Sequence, residues 1–323
     1  MSKFRKPSSK RIGLKVLGYG ETGSGKSQFG LSFPKLYALD SEAGLALYEG
    51  KPVGKNIEMI MNTQDFTELE EAIEEIEELY NEDSTTLETL IIDSETKFFQ
   101  NLQTALLELE EKKARSKGRD PMDANVSVRG WGRIKAVSTK LQNLKIDLSG
   151  KGVNIVSIAQ MEDVKQKIGD NFVVVGHKPV MAKMAEYDYD IVLQFFTEGE
   201  DEDTKYFAKV LKDRTKKFKK GQVVQNPSFE LWADAKPVDG DTLETSFSKD
   251  AKTSMNKQEE VDAESDKTVV EKFKELVATL DDAGKKQIGA LIKEAKIKNP
   301  LEPATGKEFK DLQAVIDAMT KVK

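Results

Sequence analysis

Residues 20–27 read GETGSGKS, and no other eight residues limit the fold of this chain as much. The run satisfies G-x-x-x-x-G-K-S. Small residues let successive backbone N–H groups turn onto an anion, while the lysine adds charge and the hydroxyl adds a metal ligand. Such a loop works between a buried strand and the start of a helix. Both flanks comply. IGLKVLGYG before it is apolar and β-branched, and SQFGLSF after it suits a short helix stopped before Pro34.

A second pattern overlaps the first. Gly18, Gly20 and Gly23 spell G-x-G-x-x-G, and Asp40 falls near the place of a ribose-binding acid. That pattern is weak in a chain with 22 glycines, and it gives no role to Lys26, Ser27 or Asp93. The phosphate reading employs all three. Gly20, Glu21, Thr22, Gly23, Ser24, Gly25, Lys26, Ser27 and Gln28 form the cradle for ATP, with Lys26 reaching its terminal phosphates. Ser27 and Asp93, the latter ending the buried run TLIID, are the expected Mg²⁺ ligands. AAA+ and helicase proteins of the Asp-Glu type place glutamate directly after this aspartate, but here Ser94 follows. The base that activates water is then Glu42, just past the strand KLYALD, or Glu95, two residues beyond Asp93. The residues alone leave both open.

Composition narrows the rest. Of 323 residues 33% are charged, and no apolar run nears the roughly 20 residues of a membrane span. The start, MSKFRKPSSKR, is basic without the apolar segment of a secretory signal, so a cytoplasmic protein without a membrane partner is expected. The absence of cysteine removes disulfides, zinc ribbons and thiol catalysis, and the single His177 argues against a His-rich metal site. A net charge of −6 argues against a general polyanion binder, so contact with nucleic acid requires local basic patches.

Alternating apolar runs and helical patterns predict an α/β fold, a mainly parallel sheet between helices. The stretch 66–80 places Phe66, Leu69, Ile73, Ile76 and Tyr80 on one helical face. Residues 97–112 look helical, whereas 112–132 and 161–181 read as long polar connections, the second of them partly hairpin. The expected organisation is a core at 1–233, a flexible polar linker at 234–266 and a small helical module at 267–323.

The set GETGSGKS, ALDSE, LIIDS and NIVSIAQ resembles the RecA-type recombinase core over roughly residues 12–232. The short span from Lys26 to Glu42 is most similar to the phage ATP-binding proteins of the Sak group, which act in single-strand annealing. The resemblance implies Glu42 as catalytic glutamate and Gln160 as γ-phosphate sensor opening a mobile DNA-binding loop. It also implies Lys212 and Arg214 as cations reaching a neighbouring subunit's ATP. It implies a homo-oligomer, filament or ring, acting on single-stranded DNA with a single-strand DNA-binding protein as further partner. The host-cell cytoplasm follows if the chain is phage-encoded. Candidate DNA contacts are Lys113, Arg115, Lys117, Arg119, Arg129, Arg133, Lys165 and Lys167, with Trp131 a stacking platform or an anchor of its own helix. Two other readings compete: a DnaB-like hexameric helicase motor, and a nucleotide-gated DNA-binding scaffold with little turnover.

Overall fold

The computed structural model describes residues 4, 6–235, 240–243 and 246–320. The chain divides into two compact units, 1–245 and 246–323. The first runs β1 (Lys15–Gly20), α1 (Lys26–Leu31), β2 (Leu36–Asp40), β3 (Ile57–Asn62), α2 (Phe66–Glu82), β4 (Thr89–Asp93) and α3 (Glu95–Ser116). It continues with α4 (Val128–Gly150), β5 (Asn154–Ile168), β6 (Asn171–Pro179), β7 (Ile191–Glu198), β8 (Lys205–Asp213) and β9 (Val223–Gln225).

The sheet order is β3-β2-β4-β5-β1-β7-β8-β9, with β6 paired to the far half of β5. Along this order all neighbours from β3 to β7 pair in parallel, while β8 pairs antiparallel with β7, β9 with β8 and the off-path β6 with β5. This is the mainly parallel α/β sheet that the sequence predicts. Strands covered on both faces are predominantly apolar, and β4 and the first six residues of β5 are buried at every position. One face packs Phe29, Phe33, Phe195 and Trp232. The other packs Leu90, Ile92 and Ile155 under α2 and α4, including Leu69, Ile73 and Leu144. All five predicted apolar positions of α2 are buried, and the Asp65 carboxylate caps that helix by accepting from Thr67 N at 2.7 Å.

Three expected irregular stretches differ. α3 continues to Ser116, so 112–132 contributes only 117–127 as loop before Ser127 Oγ caps α4 by accepting from Gly130 N. The glycines at 130 and 132 suggest a loop but fall inside the first turns of α4, while KKARS consists of residues that tolerate helix. Residues 161–181 are mostly an antiparallel hairpin, β5 against β6, exposed along nearly all its length. The polar stretch 234–266 is helical from Phe247, in α5 (Phe247–Thr279). Its lysines and glutamates favour helix once Gly240 is passed. Residues 236–239 and 244–245 of that stretch lie outside the described residues.

The second unit closes with α6 (Asp282–Glu294) and α7 (Gly306–Thr320). Phe273, Ile288, Leu312 and Ile316 form its small core. Among the described residues no helix is long and apolar enough to cross a membrane.

Candidate nucleotide site

Parallel register brings the functional ends together. Gly20 lies opposite Gln160 and Asp40 opposite Asp93, so the loop after β1 meets the ends of β2, β4 and β5 on one edge of the sheet. The loop turns through Gly23 and Gly25 at φ 74° and 86°, a region that disfavours side chains. Lys26 Nζ folds onto the loop, donating to the carbonyls of Gly20, at 3.1 Å, and Glu21. Burial lowers the pKa of its ammonium, against the pull of Asp93, Glu42 and Glu21. Asp93 is pushed up to about 6, first by burial, although Ser27 hydrogen-bonds to it, and Glu42 and Asp40 push in the same direction.

The donor set can be tested for Mg²⁺. The ion prefers hard oxygens and is held by one or two carboxylates plus substrate phosphates. Ser27 and Asp93 supply a hydroxyl beside a buried carboxylate short of positive charge, with no nitrogen or sulfur ligand. Among the described residues no group of three or more His, Cys, Asp or Glu could hold a metal. The residues therefore fit an ion that arrives with a triphosphate.

Beyond β2 the chain is tied by residues whose roles the sequence does not reveal. Buried Asp40 accepts from the backbone N–H of Glu42 at 3.1 Å, Gly44 at 3.3 Å and Leu45 at 2.9 Å, and from Asn62 Nδ2 at 3.2 Å. It organises the loop that carries Glu42. Ser41 Oγ donates to Ser94 O at 3.0 Å and accepts from Ser94 N at 2.8 Å, which locks the ends of β2 and β4 together. Ser94 Oγ then donates to Glu42 Oε1 at 2.7 Å, and Gln160 Nε2 donates to the same oxygen at 3.0 Å. The sequence marks Asp40 as the acid that ends a buried strand but carries no signal for this role of Asp40 or for the clasp of Ser41.

Glu95 turns the other way. Its buried carboxylate takes Lys145 Nζ at 2.7 Å, Tyr189 Oη at 2.8 Å and Gln142 Nε2 at 3.0 Å. Burial raises its pKa, but Lys145 and the hydroxyls outweigh that, and the net shift is downward. This geometry leaves Glu42, and not Glu95, beside the loop.

A cavity of about 590 Å³ adjoins the loop, lined by Ser24, Gly25, Gln28, Tyr206, Asn226 and Phe229. The volume suits a small ligand's base and sugar. The Tyr206 ring packs so close to Gly25 that a Cβ there would approach it to 3.2 Å.

Other predicted residues lie apart. Lys212 pairs in register with Val192, itself opposite Leu17, so the end of β8 is at the sheet edge away from the loop. There Lys212 Nζ donates to Tyr187 O at 2.8 Å and Arg214 meets Asp190 at 3.3 Å. Lys113 pairs with Glu110 at 2.8 Å and Arg115 with Glu111 at 3.3 Å along α3. Lys117 and Arg119 sit in the following loop, and Arg129, Trp131 and Arg133 in the first turns of α4. Trp131 is 50% exposed and does not anchor the core. Lys165 and Lys167 lie on the hairpin opposite Val174 and Phe172. In the basic arm, Lys10, Arg11 and Lys15 bond to Asp241, Tyr80 and Asp190, while Lys3 and Arg5 lie outside the described residues.

Strand, glycine loop, helix, and a buried acid on a nearby parallel strand define a P-loop nucleoside triphosphatase. The AAA domain model matches residues 12–224, well over half of the chain, and the chain belongs to that family. None of the curated proteins matches. Among solved structures, the crystal structure of the RadB recombinase is similar with a TM-score of 0.41 and 15% identity, over 67% of this chain and 87% of that one.

Proposed function

We propose that this protein hydrolyses ATP as a RecA-like machine that binds single-stranded DNA and promotes phage-type annealing or recombination, with ATP at interfaces between copies. One observation carries the reading. The Glu42 carboxylate is shared with Gln160, and the strand that holds Gln160 runs on into the exposed hairpin bearing Lys165 and Lys167.

The loop N–H groups and Lys26 bind the phosphates, while Ser27 and Asp93 would hold Mg²⁺, which supplies charge neutralisation between phosphates. Glu42 orients the attacking water. A bound γ-phosphate competes for the Gln160 amide, so the nucleotide state is felt at the base of the hairpin. Lys212 and Arg214 lie too far from the loop of their own chain and serve only a neighbouring copy, which makes turnover depend on assembly. A single-strand DNA-binding protein and the two basic stretches around α3–α4 and the hairpin complete the proposed partners and surfaces.

Steady-state ATPase assays with and without single-stranded DNA test the reading. DNA is expected to raise turnover, and Glu42→Gln to remove it while ATP still binds. Failure of the pure protein to bind labelled single strands at low salt would sink the DNA part. Directional unwinding of a forked duplex would replace annealing with a helicase motor. Hydrolysis and DNA binding both unchanged in Glu42→Gln would favour a nucleotide-gated scaffold and overturn the assignment of Glu42 as base.

A further inference from the structure

A cavity of about 630 Å³, which shares no lining residue with the nucleotide loop, lies between α3, α4 and the segment 182–188 that follows β6. That volume is typical of sites for small organic groups. Trp131, Lys135 and Ser138 reach it from one face of α4, spaced four and three residues apart as a helical stripe requires. Among the described residues, Ser138 Oγ is the one buried side-chain polar atom without a hydrogen-bond partner, and Ser138 lines this cavity. The residue is only 7% exposed. A core hydroxyl left unmatched in this way points to a partner brought by a ligand.

The remaining lining has a consistent chemistry. Phe99, Trp131 and Tyr187 provide flat apolar surfaces, and Trp131 and Tyr187 stay 50% and 63% exposed. Asn143 offers a second neutral donor and acceptor. Lys135 and Lys183 against the one carboxylate, Asp188, leave the lining cationic. The chain on one side of the cavity follows the loop with Lys117 and Arg119, and on the other follows the hairpin with Lys165 and Lys167.

We infer that this cavity receives one unstacked base of single-stranded DNA. Trp131 stacks on the base, Ser138 hydrogen-bonds its edge, and Lys135 and Lys183 meet the flanking phosphates. A hydroxyl both donates and accepts, so the slot takes any base that fits. The inference rests on the single-stranded DNA reading above and adds a defined base site to it.

The test uses the full chain and a short oligothymidylate carrying fluorescein at one end and a single 2-aminopurine. Fluorescein anisotropy reports total binding, and 2-aminopurine emission reports the surroundings of one base. Trp131→Ala is expected to weaken binding about 5- to 100-fold and to erase the change in 2-aminopurine emission. Trp131→Phe, which keeps a ring, is expected to retain most of both, and it guards against a folding failure. Ser138→Ala is expected to reduce the emission change with a melting temperature no lower than wild type. Tryptophan emission gives an independent reading, because the other tryptophan, Trp232, is 1% exposed.

If the oligonucleotide binds normally and neither Trp131→Ala nor Ser138→Ala alters anisotropy or emission, the base slot is wrong while the DNA reading stands. If wild type binds no oligonucleotide at low salt, the DNA reading fails and the slot falls with it. If an acidic peptide bearing aromatic side chains quenches Trp131 and the oligonucleotide does not, the occupant is a protein segment and the assignment to a base is overturned.

Discussion

Asp93 and Glu95 are two residues apart, both buried, and electrostatically opposite. Burial pushes Asp93 up to about 6, because the Ser27 hydroxyl and a competing Lys26 do not compensate it and Glu42 and Asp40 add negative charge. Burial pushes Glu95 up as well, yet Lys145 at 2.7 Å, with the Ser157 and Tyr189 hydroxyls, brings it below its ordinary value. The difference separates two uses of a buried carboxylate. Glu95 already holds its cation and fixes the start of α3 against α4. Asp93 lacks one, which is the condition a divalent ion relieves.

The largest break in this comparison is Lys145→Met, which leaves Glu95 buried without its cation. Removing one partner of a buried pair typically costs about 3–5 kcal/mol. For a unit of this size that lowers the melting temperature by roughly 6–20 °C in a thermal denaturation experiment. The double variant Glu95→Leu with Lys145→Met should recover most of the loss, since an apolar replacement removes both charges.

Lys26→Ala breaks the other half. The lysine is a site cation and not a core one, so the expected loss is in turnover, about 10²- to 10³-fold, with the melting temperature nearly unchanged. Steady-state ATPase measurements beside thermal denaturation check both halves. A large fall in stability would mean that the lysine's bonds to the Gly20 and Glu21 carbonyls hold the loop together.

Acid–base behaviour sharpens the contrast further. Asp93 has a folded pKa of about 6 against an ordinary 3.8. Between those values the folded state holds more protons than the unfolded one, so this group's contribution to stability falls as pH rises from about 4 to 6. Above that window its ionisation costs the metal-free protein about 2–3 kcal/mol. Glu95 acts in the reverse sense. Its lowered pKa gives stability that is present above its ordinary 4.5 and lost as pH falls. Urea denaturation of metal-free Asp93→Asn should therefore show a gain over wild type at pH 7 that shrinks toward pH 4.

Much of this was legible in the sequence, and the failures have physical causes. Strands that end in chemistry, such as LIIDS and NIVSIAQ, announce themselves because parallel strands buried on both faces are near-continuously apolar before a polar residue at their end. The choice between Glu42 and Glu95 was not legible. It depends on Lys145 and Tyr189, which lie 50 and 94 residues from Glu95 in sequence and meet it only after α4 and β7 pack. The full extent of the hairpin was not legible, because exposure along both its strands leaves no alternation to read. The helix from Phe247 was hidden because polarity dominated a composition that also favours helix. β3 escaped notice as an edge strand whose Met59 and Met61 face solvent.

The smallest expected effect tests the link between the two carboxylate regions. Ser94 stands between Asp93 and Glu95, and its Oγ donates to Glu42 Oε1 at 2.7 Å while its backbone is clasped by Ser41. Ser94→Ala removes the hydroxyl and leaves the clasp. Gln160 still donates to the same Glu42 oxygen, so the carboxylate loses one of two side-chain anchors. A hydrogen bond to a charged acceptor contributes about 1.5–3 kcal/mol when fully buried and less where Glu42 meets solvent. The expected result is a kcat lowered about 3- to 10-fold, an unchanged KM for ATP, and a melting temperature close to wild type. The kcat–KM split is the informative readout, because it separates positioning of Glu42 from binding of the nucleotide. Combining Ser94→Ala with Gln160→Ala should lower kcat by more than the product of the single effects, since only then is Glu42 without a side-chain partner on either side. Simple multiplication would mean that the backbone ties around Asp40, and not these two side chains, hold Glu42 in place.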